Sequence, residues 1–477
     1  MTSSTPYKSA TQSMQPRPTG AENADGEDDL ILIKADVTKA HRRIKVQEKD
    51  WKYMAAKIKN NIWINKCGTY GIASAQLYWG RMAALLLRML YYTFPDMLWG
   101  FVYVDDFIFI VKRKHLATTG YSILILLLAC GCPLSWKKTM IGTTNTWLGF
   151  QINATTTTSC LTWTKQTIII HILQRIMDGE THRAAEILTA LGRLQWAMAI
   201  CPLFRPFLQP FYAWQIATKT AGRPPNLVQY LAKFIAEVVQ TKPTPQYKPP
   251  TTSKWIGASD AGANDTTATV GGWIITQQPT YDDDGNRLPP QTVDDHRKHE
   301  ALWFHVKINK TEHPWAFDKT SPQKRIAALE LYGTLLLFTA LRPQQNCNAT
   351  QPIHVPMLTD NQGNAFSILN NNTKKWPCAA ILMELCYQAH MSACIPDIEH
   401  IKRDYNKWAD ALTNDDFTDF DNNKRLATMK LEDTWCALPT ILQLHNQEQA
   451  SHSKPPPSTT MPDLLPQQHT PPTGAGA

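Results

Sequence analysis

Nothing in this sequence is apolar for long enough to cross a bilayer. Its most hydrophobic run, Tyr121 to Cys132, has 12 residues, against the roughly 20 that a spanning helix needs. That run is expected as a buried helix, and no membrane partner is expected. No apolar segment follows a basic N-terminus, so no secretory leader is expected and the thiols should be reduced, in cytoplasm or nucleus. The ten cysteines include no C-x-x-C pair, and the closest two, Cys130 and Cys132, flank a glycine in an apolar stretch, which argues against a zinc site. No internal repeat of 20 to 50 residues is present, which excludes solenoids and propellers. Charge of neither sign dominates: 48 lysines and arginines against 40 acids give +8, a mild preference for a polyanionic partner and no more.

What is present is material for globular cores. The 477 residues are 43% hydrophobic, with 16 Trp, 15 Tyr and 15 Phe, enough for two or three domains. Residues 1–29 and 447–477 are rich in Ser, Thr, Pro and Gln and poor in large aliphatics, so both ends are expected to be disordered. Residues 241–254 carry prolines and no aliphatic side chain, which predicts an extended linker. Between these lie residues 30–155, a helical stretch over 156–240 whose tryptophans, Trp163 among them, read as core rather than as exposed, a further unit over 255–418 and an extension over 419–446.

Residues Gly100 to Val111 read GFVYVDDFIFIV, aromatic and β-branched residues around Asp105–Asp106, the pattern of two strands joined by a tight turn. Two carboxylates at one hairpin tip repel unless a cation neutralises them. An Asp-Asp turn can also simply cap a surface hairpin. Upstream, Asp36 ends the apolar run LILIKAD, and Gly68 and Gly71 mark a turn before a helical pattern; downstream come an apolar helix, GCPLSWKKT and WLGFQI.

This order resembles the palm motifs of reverse transcriptases: motif A around Asp36, motif B at Thr69 to Ala75, YVDD as motif C, Leu134 to Thr139 as motif D, and Trp147 to Phe150 leading into the thumb. It is most similar to elements with long terminal repeats or to the related tyrosine-recombinase type. The resemblance implies that Asp36, Asp105 and Asp106 hold two Mg²⁺, with Mn²⁺ as a substitute, for nucleotidyl transfer on a primer-template with dNTPs. It implies Lys138 as proton donor to the leaving pyrophosphate, the alternative being a solvated charge beside Lys137. It also implies substrate contacts for His41, Tyr70, Gly71 and Tyr103. His41 stands where the family usually has an aromatic residue that excludes a ribose 2′-hydroxyl, so altered sugar discrimination is expected. About 35 residues precede Asp36; fingers to grip template and nucleotide are therefore expected to be missing, and the polymerising centre incomplete.

A second set of acids follows the proline-rich stretch. Asp260 is expected at the end of a strand, with Gly271 and Gly272 opening the next; Glu330 lies beside the helical stripe Ile326, Leu329, Gly333 and Leu336; Asp360 ends an apolar strand; Asp410 sits in a final helix. Singly, Asp360 reads as a helix N-cap, Glu330 as a solvated charge and Asp410 as a surface residue. In series, and with the closing NKWADALT, they resemble the active site of a retroelement ribonuclease H, which implies two Mg²⁺ held by Asp260, Glu330, Asp360 and Asp410 to cut RNA in an RNA/DNA hybrid. His400 is read as structural. Asp282 to Asp284 belong to an acidic loop read as solvated.

The expected fold class is therefore α+β: an antiparallel palm sheet with helices, a helical thumb and connection, and an α/β ribonuclease H-like unit with a mixed sheet. Two other readings stay open, a truncated relic or host-retained protein that binds nucleic acid without catalysis, and a nuclease using the palm as scaffold.

Overall fold

The computed structural model describes residues 29–69, 71–240, 251–276, 295–317, 321–343 and 351–452. The expected disorder of the first 28 residues and the expected acidic loop at Asp282 to Asp284 lie outside them, as does Tyr70.

The first unit is built on a four-stranded sheet. Its strands are β1 (Leu30–Asp36), β4 (Met97–Tyr103), β5 (Asp106–Lys112) and β6 (Met140–Gly142), in the order β4-β5-β1-β6. Strand β1 is antiparallel to β5 and to β6. Leu32 and Ile33, neighbours in sequence, are both fully buried, because both faces of the sheet are covered. On one face Ile31, Ile33 and Ala35 pack with Trp79, Ala83, Leu86 and Leu90 of α1 (Ala73–Thr93) and with Ile123 and Leu127 of α2 (Tyr121–Ala129). On the other, Leu32 and Ile108 meet Ala154 and Trp147. The hairpin β2 (Ala55–Ile58) and β3 (Asn61–Ile64) leaves this body between β1 and α1. A three-stranded antiparallel sheet of β7 (Thr144–Trp147), β8 (Phe150–Asn153) and β9 (Thr158–Leu161) leads away from it.

Four helices follow: α3 (Trp163–Met177), α4 (Ala184–Ala197), α5 (Gln209–Ala217) and α6 (Asn226–Gln240), with a short ribbon of β10 (His182–Arg183) and β11 (Ala221–Gly222). They do not form a body of their own. Their buried side chains share one continuous core with the second unit; Phe204 meets His390 and Phe234 meets Tyr387, each at a ring separation of 5.0 Å.

That unit is a mixed sheet. Strands β13 (Trp255–Ala263), β14 (Ala268–Thr276) and β15 (Leu302–Ile308) are antiparallel, while β16 (Ile353–Thr359) and β17 (Cys394–His400) continue the sheet parallel to β13. Helices α7 (Ile326–Leu341) and α9 (Cys378–Met391) cover one face. The other carries α10 (Lys407–Thr413), whose Trp408 and Leu412 pack with Trp273 and Trp303. Helix α8 (Gln362–Leu369) follows β16, and α11 (Thr428–Glu432) and α12 (Leu438–His452) come after α10. The N-terminus of α12 is held by Glu384, fully buried on α9, whose carboxylate accepts from Ala437 N and Leu438 N at 2.7 Å each and from Cys436 N at 3.2 Å.

The α+β class and both sheets match the reading of the sequence; four details differ. Thr251–Thr252 form a strand, β12, parallel to β16, inside the expected linker: two threonines suit an edge strand even beside prolines. Residues 447–452 are helical, since Gln, Glu and Ala continue a helix already anchored by Leu438 and Ile441. The expected buried helix ends at Ala129 and exposes Tyr121 and Ile125, because α2 covers only one face of the sheet. Trp163, expected in a core, is 74% exposed at the start of α3. Among the described residues, no helix is long and apolar enough to cross a membrane.

Candidate active sites

In the second unit the four acids come from four elements. Asp260 lies inside β13, not at its end, and is 5% exposed. The strand runs on to Ala263 because Ala261 to Ala263 pair with β14. Parallel pairing aligns Gly257 with Met357 and Ala258 with Leu358, so Asp360, one residue past β16, comes level with Asp260. Two glycines let helices close on this point. A Cβ at Gly333 would sit 2.8 Å from Val270 Cγ1, and one at Gly271 would sit 2.7 Å from Leu412 Cβ. Their absence brings α7 and α10 down on opposite faces of the sheet, carrying Glu330 and Asp410.

The result is one cluster. Ligand oxygens of Asp260, Glu330 and Asp360 all lie within 4.8 Å of one another, the one such acidic group among the described residues. Burial is the main cause of two raised acidities: Asp260 is pushed up to about 6, with Asp360 adding to it, and Glu330 to about 7. The Ala261 N–H, 2.8 Å from Asp260 Oδ1, and the Asn361 amide bonded to Glu330 oppose these shifts. Asp360 Oδ1 is buried without a hydrogen-bond partner. Crowded, buried and under-partnered carboxylate oxygens are what a hard divalent cation with ligands at about 2.0–2.6 Å requires. The residues fit the ion.

Asp410 stands at the rim. Its Oδ1 is 3.6 Å from Arg403 Nη2, and it is not one of the three mutually adjacent acids. Its charge nonetheless reaches Asp260. The helix carrying it is tied to β13 by Asn406 Nδ2, which donates to Ser259 O at 3.4 Å. The capping reading of Asp360 is replaced: the N-cap of α8 is Asn361, whose Oδ1 accepts from Asn364 N at 3.0 Å. His400 places Nε2 3.2 Å from Asp360 O, in keeping with a structural part.

In the first unit, register puts Asp36 opposite Asp106, and Val37 N donates to Asp105 O at 2.9 Å. Val104 at the hairpin tip has φ +56°, a left-handed conformation costing a β-branched residue about 1–2 kcal/mol. Buried Trp79 holds it there, donating from Nε1 to Val104 O at 2.6 Å. The three acids are near one another, yet they do not form a mutually adjacent ligand set among the described residues. Lysines occupy them instead. Lys138 Nζ is 3.0 Å from Asp36 Oδ2, and Lys34 Nζ is 3.8 Å from Asp106 Oδ2. The hydrogen bond to Asp36 raises the Lys138 ammonium above its ordinary value, while burial raises Asp106. Asp36 and Asp106 are thus lysine-paired and Asp410 is arginine-paired, and among the described residues none of these three, nor Asp105, joins the mutually adjacent ligand set.

Of the substrate residues read from sequence, His41 lies on a 3-10 turn, Ala40–Arg43, after β1; Gly71, φ +86°, precedes α1; Tyr103, 58% exposed, ends β4 beside the acids. Lys34, Asn361, Asn406 and Arg403 escape a reading of the sequence alone. Asn406 is four residues before Asp410 and Lys34 two before Asp36, spacings that share a helix face and a strand face respectively.

No protein-family model and no curated protein matches the chain. Among solved structures it is similar to the foamy viral protease-reverse transcriptase in complexes with double-stranded DNA and with an RNA/DNA hybrid. One double-stranded DNA complex aligns at 14% identity and TM-score 0.40, over 80% of this chain and 60% of that one. The hybrid complex aligns at 14% and 0.38, over 81% and 47%, and a further double-stranded DNA complex at 15% and 0.40, over 81% and 72%. The chain thus spans about 60% of the length of the first of these.

Proposed function

We propose that this chain hydrolyses the RNA strand of RNA/DNA hybrids, using divalent cations at Asp260, Glu330, Asp360 and Asp410, behind a palm of reverse-transcriptase type. The observation that carries this is the convergence of three carboxylates, Asp260 buried and Glu330 and Asp360 half-buried, within 4.8 Å. Mg²⁺, or Mn²⁺ in its place, when bound there supplies a polarised water and charge stabilisation of the leaving 3′-oxygen. The protein's own residues do the positioning. Asn361 orients Glu330, the Ala261 N–H orients Asp260, and His400 steadies the backbone at Asp360. Arg403, 80% exposed beside Asp410, offers a fork to a phosphate at the rim.

RNA-directed DNA polymerisation is the second reading, supported by Asp36 and Asp106 facing each other across β1 and β5. It requires Lys138 to give up Asp36 to a cation. Labelled RNA annealed to DNA, incubated with the full chain in Mg²⁺, tests the first reading, and primer extension on an RNA template tests the second. Cleavage of the RNA strand and not the DNA strand, lost in Glu330→Gln and Asp360→Asn, is expected. An intact hybrid, or cleavage that survives both substitutions, contradicts the nuclease reading; no extension as well would leave a nucleic-acid-binding relic.

A further inference from the structure

Helix α10 ends over two residues that face each other across the sheet. Gly271 of β14 is paired with His305 of β15, and partners in a ladder share a face. Gly271 leaves room for the last helical turn: a Cβ there would lie 3.1 Å from Leu412 C and 3.2 Å from Thr413 N. His305 is buried beside it, and its Nδ1 lies 2.9 Å from Leu412 O. A carbonyl oxygen can only accept, so Nδ1 carries a proton and donates.

The last carbonyls of a helix find no partner within it, and those of α10 are met in two ways. Asp410 O accepts from Thr413 Oγ1 at 2.8 Å and from Asn414 Nδ2 at 2.9 Å, and Ala411 O accepts from Asn414 N and Asp416 N at 3.0 Å each. Those donors belong to the turn itself. His305, the donor to Leu412 O, comes from the sheet and ties the turn to it. The far edge of the ring is held as well: Nε2 is 3.3 Å from Asp415 Oδ1, which Lys307 Nζ also approaches at 3.2 Å, and Phe417 stands edge-on at 5.0 Å. Asp415 turns the chain back toward His305 in a left-handed conformation, φ +59°.

Asp410 stands two residues before Leu412 on the same seven-residue helix. We infer that His305 is a positioning residue for the acidic cluster: its hydrogen bond to Leu412 O fixes the last turn of α10 and with it the place of Asp410 at the rim. The part given to Asp410 rests on the hydrolytic reading; the tie that holds it rests on the geometry of α10 and β15. A bond that merely closed the helix would change the melting temperature and leave cation affinity alone.

Three substitutions in the full chain separate these roles. His305→Asn keeps an amide nitrogen where Nδ1 stands, His305→Gln keeps one where Nε2 stands, and His305→Phe keeps the ring against Phe417 with neither donor. Each is titrated with Mn²⁺ alone, followed by the electron paramagnetic resonance of the free ion, and assayed on the hybrid for kcat and KM. His305→Phe and His305→Gln are expected to bind Mn²⁺ about 10- to 100-fold more weakly, the usual cost of losing a group that orients a ligand. Their kcat should fall in parallel with KM for the hybrid unchanged, and His305→Asn should restore both readings to near wild type. Wild-type Mn²⁺ affinity in His305→Gln overturns the inference, as does a His305→Asn variant no better than His305→Gln; this pair decides the matter even where His305→Phe fails to fold. Should the wild type leave the hybrid intact while the Mn²⁺ affinities follow the expected order, the positioning role stands and the nuclease reading fails.

Discussion

Replacing Asp260 by asparagine should make the metal-free protein more stable while removing the proposed hydrolytic activity. The carboxylate is buried next to Asp360 and is pushed up from 3.8 to about 6. Every tenfold change in proton affinity corresponds to about 1.4 kcal/mol, so keeping Asp260 ionised costs on the order of 3 kcal/mol. A folded value above the unfolded one means that stability is present below the unfolded value and lost as pH rises through the folded one. The penalty thus grows between about pH 4 and pH 6 and is complete by pH 8. Asparagine keeps an oxygen for the Ala261 N–H but carries no charge. In EDTA, denaturation curves read at pH 4, 6 and 8 should therefore show the variant gaining on the wild type with pH, up to about 3 kcal/mol. Adding Mg²⁺ should stabilise the wild type more than the variant. A variant equal to or weaker than wild type at pH 8, or a difference that does not change with pH, would refute the burial argument.

Two further perturbations probe the scaffold. Gly333→Ala places a methyl 2.8 Å from Val270 Cγ1, lifting α7 and Glu330 from the sheet; hybrid cleavage should fall about 10- to 100-fold in kcat with little change in KM, and a wild-type kcat would show that this close approach does not set the site. Glu384→Ala strands the N–H groups of Cys436, Ala437 and Leu438, so stability should drop by about 2–4 kcal/mol; hydrogen exchange in α12 should rise first, and unchanged protection there would discount the latch.

The fold class is legible in the sequence because its periodicities are strong: the Asp105–Asp106 hairpin and the Asp360 strand end are bounded by apolar runs that are largely buried. The acids that the fold gathers, Asp260, Glu330 and Asp360, can be picked out of the sequence too, since local markers such as Gly333 and the DNQ turn at Asp360 stand beside them. Partners supplied by distant segments are not. Lys138 reaches Asp36 across 102 residues and Asn361 reaches Glu330 across 31, and no local pattern announces such pairs. The shared core of α3–α6 with the second unit is hidden for the same reason: an amphipathic helix declares a buried face but not what buries it. The tail beyond Gln447 reads as disordered when composition is weighed over a window longer than the helix that ends in it.

The chemistry proposed for this chain depends above all on a cation at the clustered acids, and a crystal of the full chain soaked in Mn²⁺ and measured for anomalous scattering tests this most directly. Density is expected among Asp260, Glu330 and Asp360, with Asp36 and Asp106 still held by Lys138 and Lys34. A peak confined to Asp36 and Asp106, or none among Asp260, Glu330 and Asp360, would contradict it.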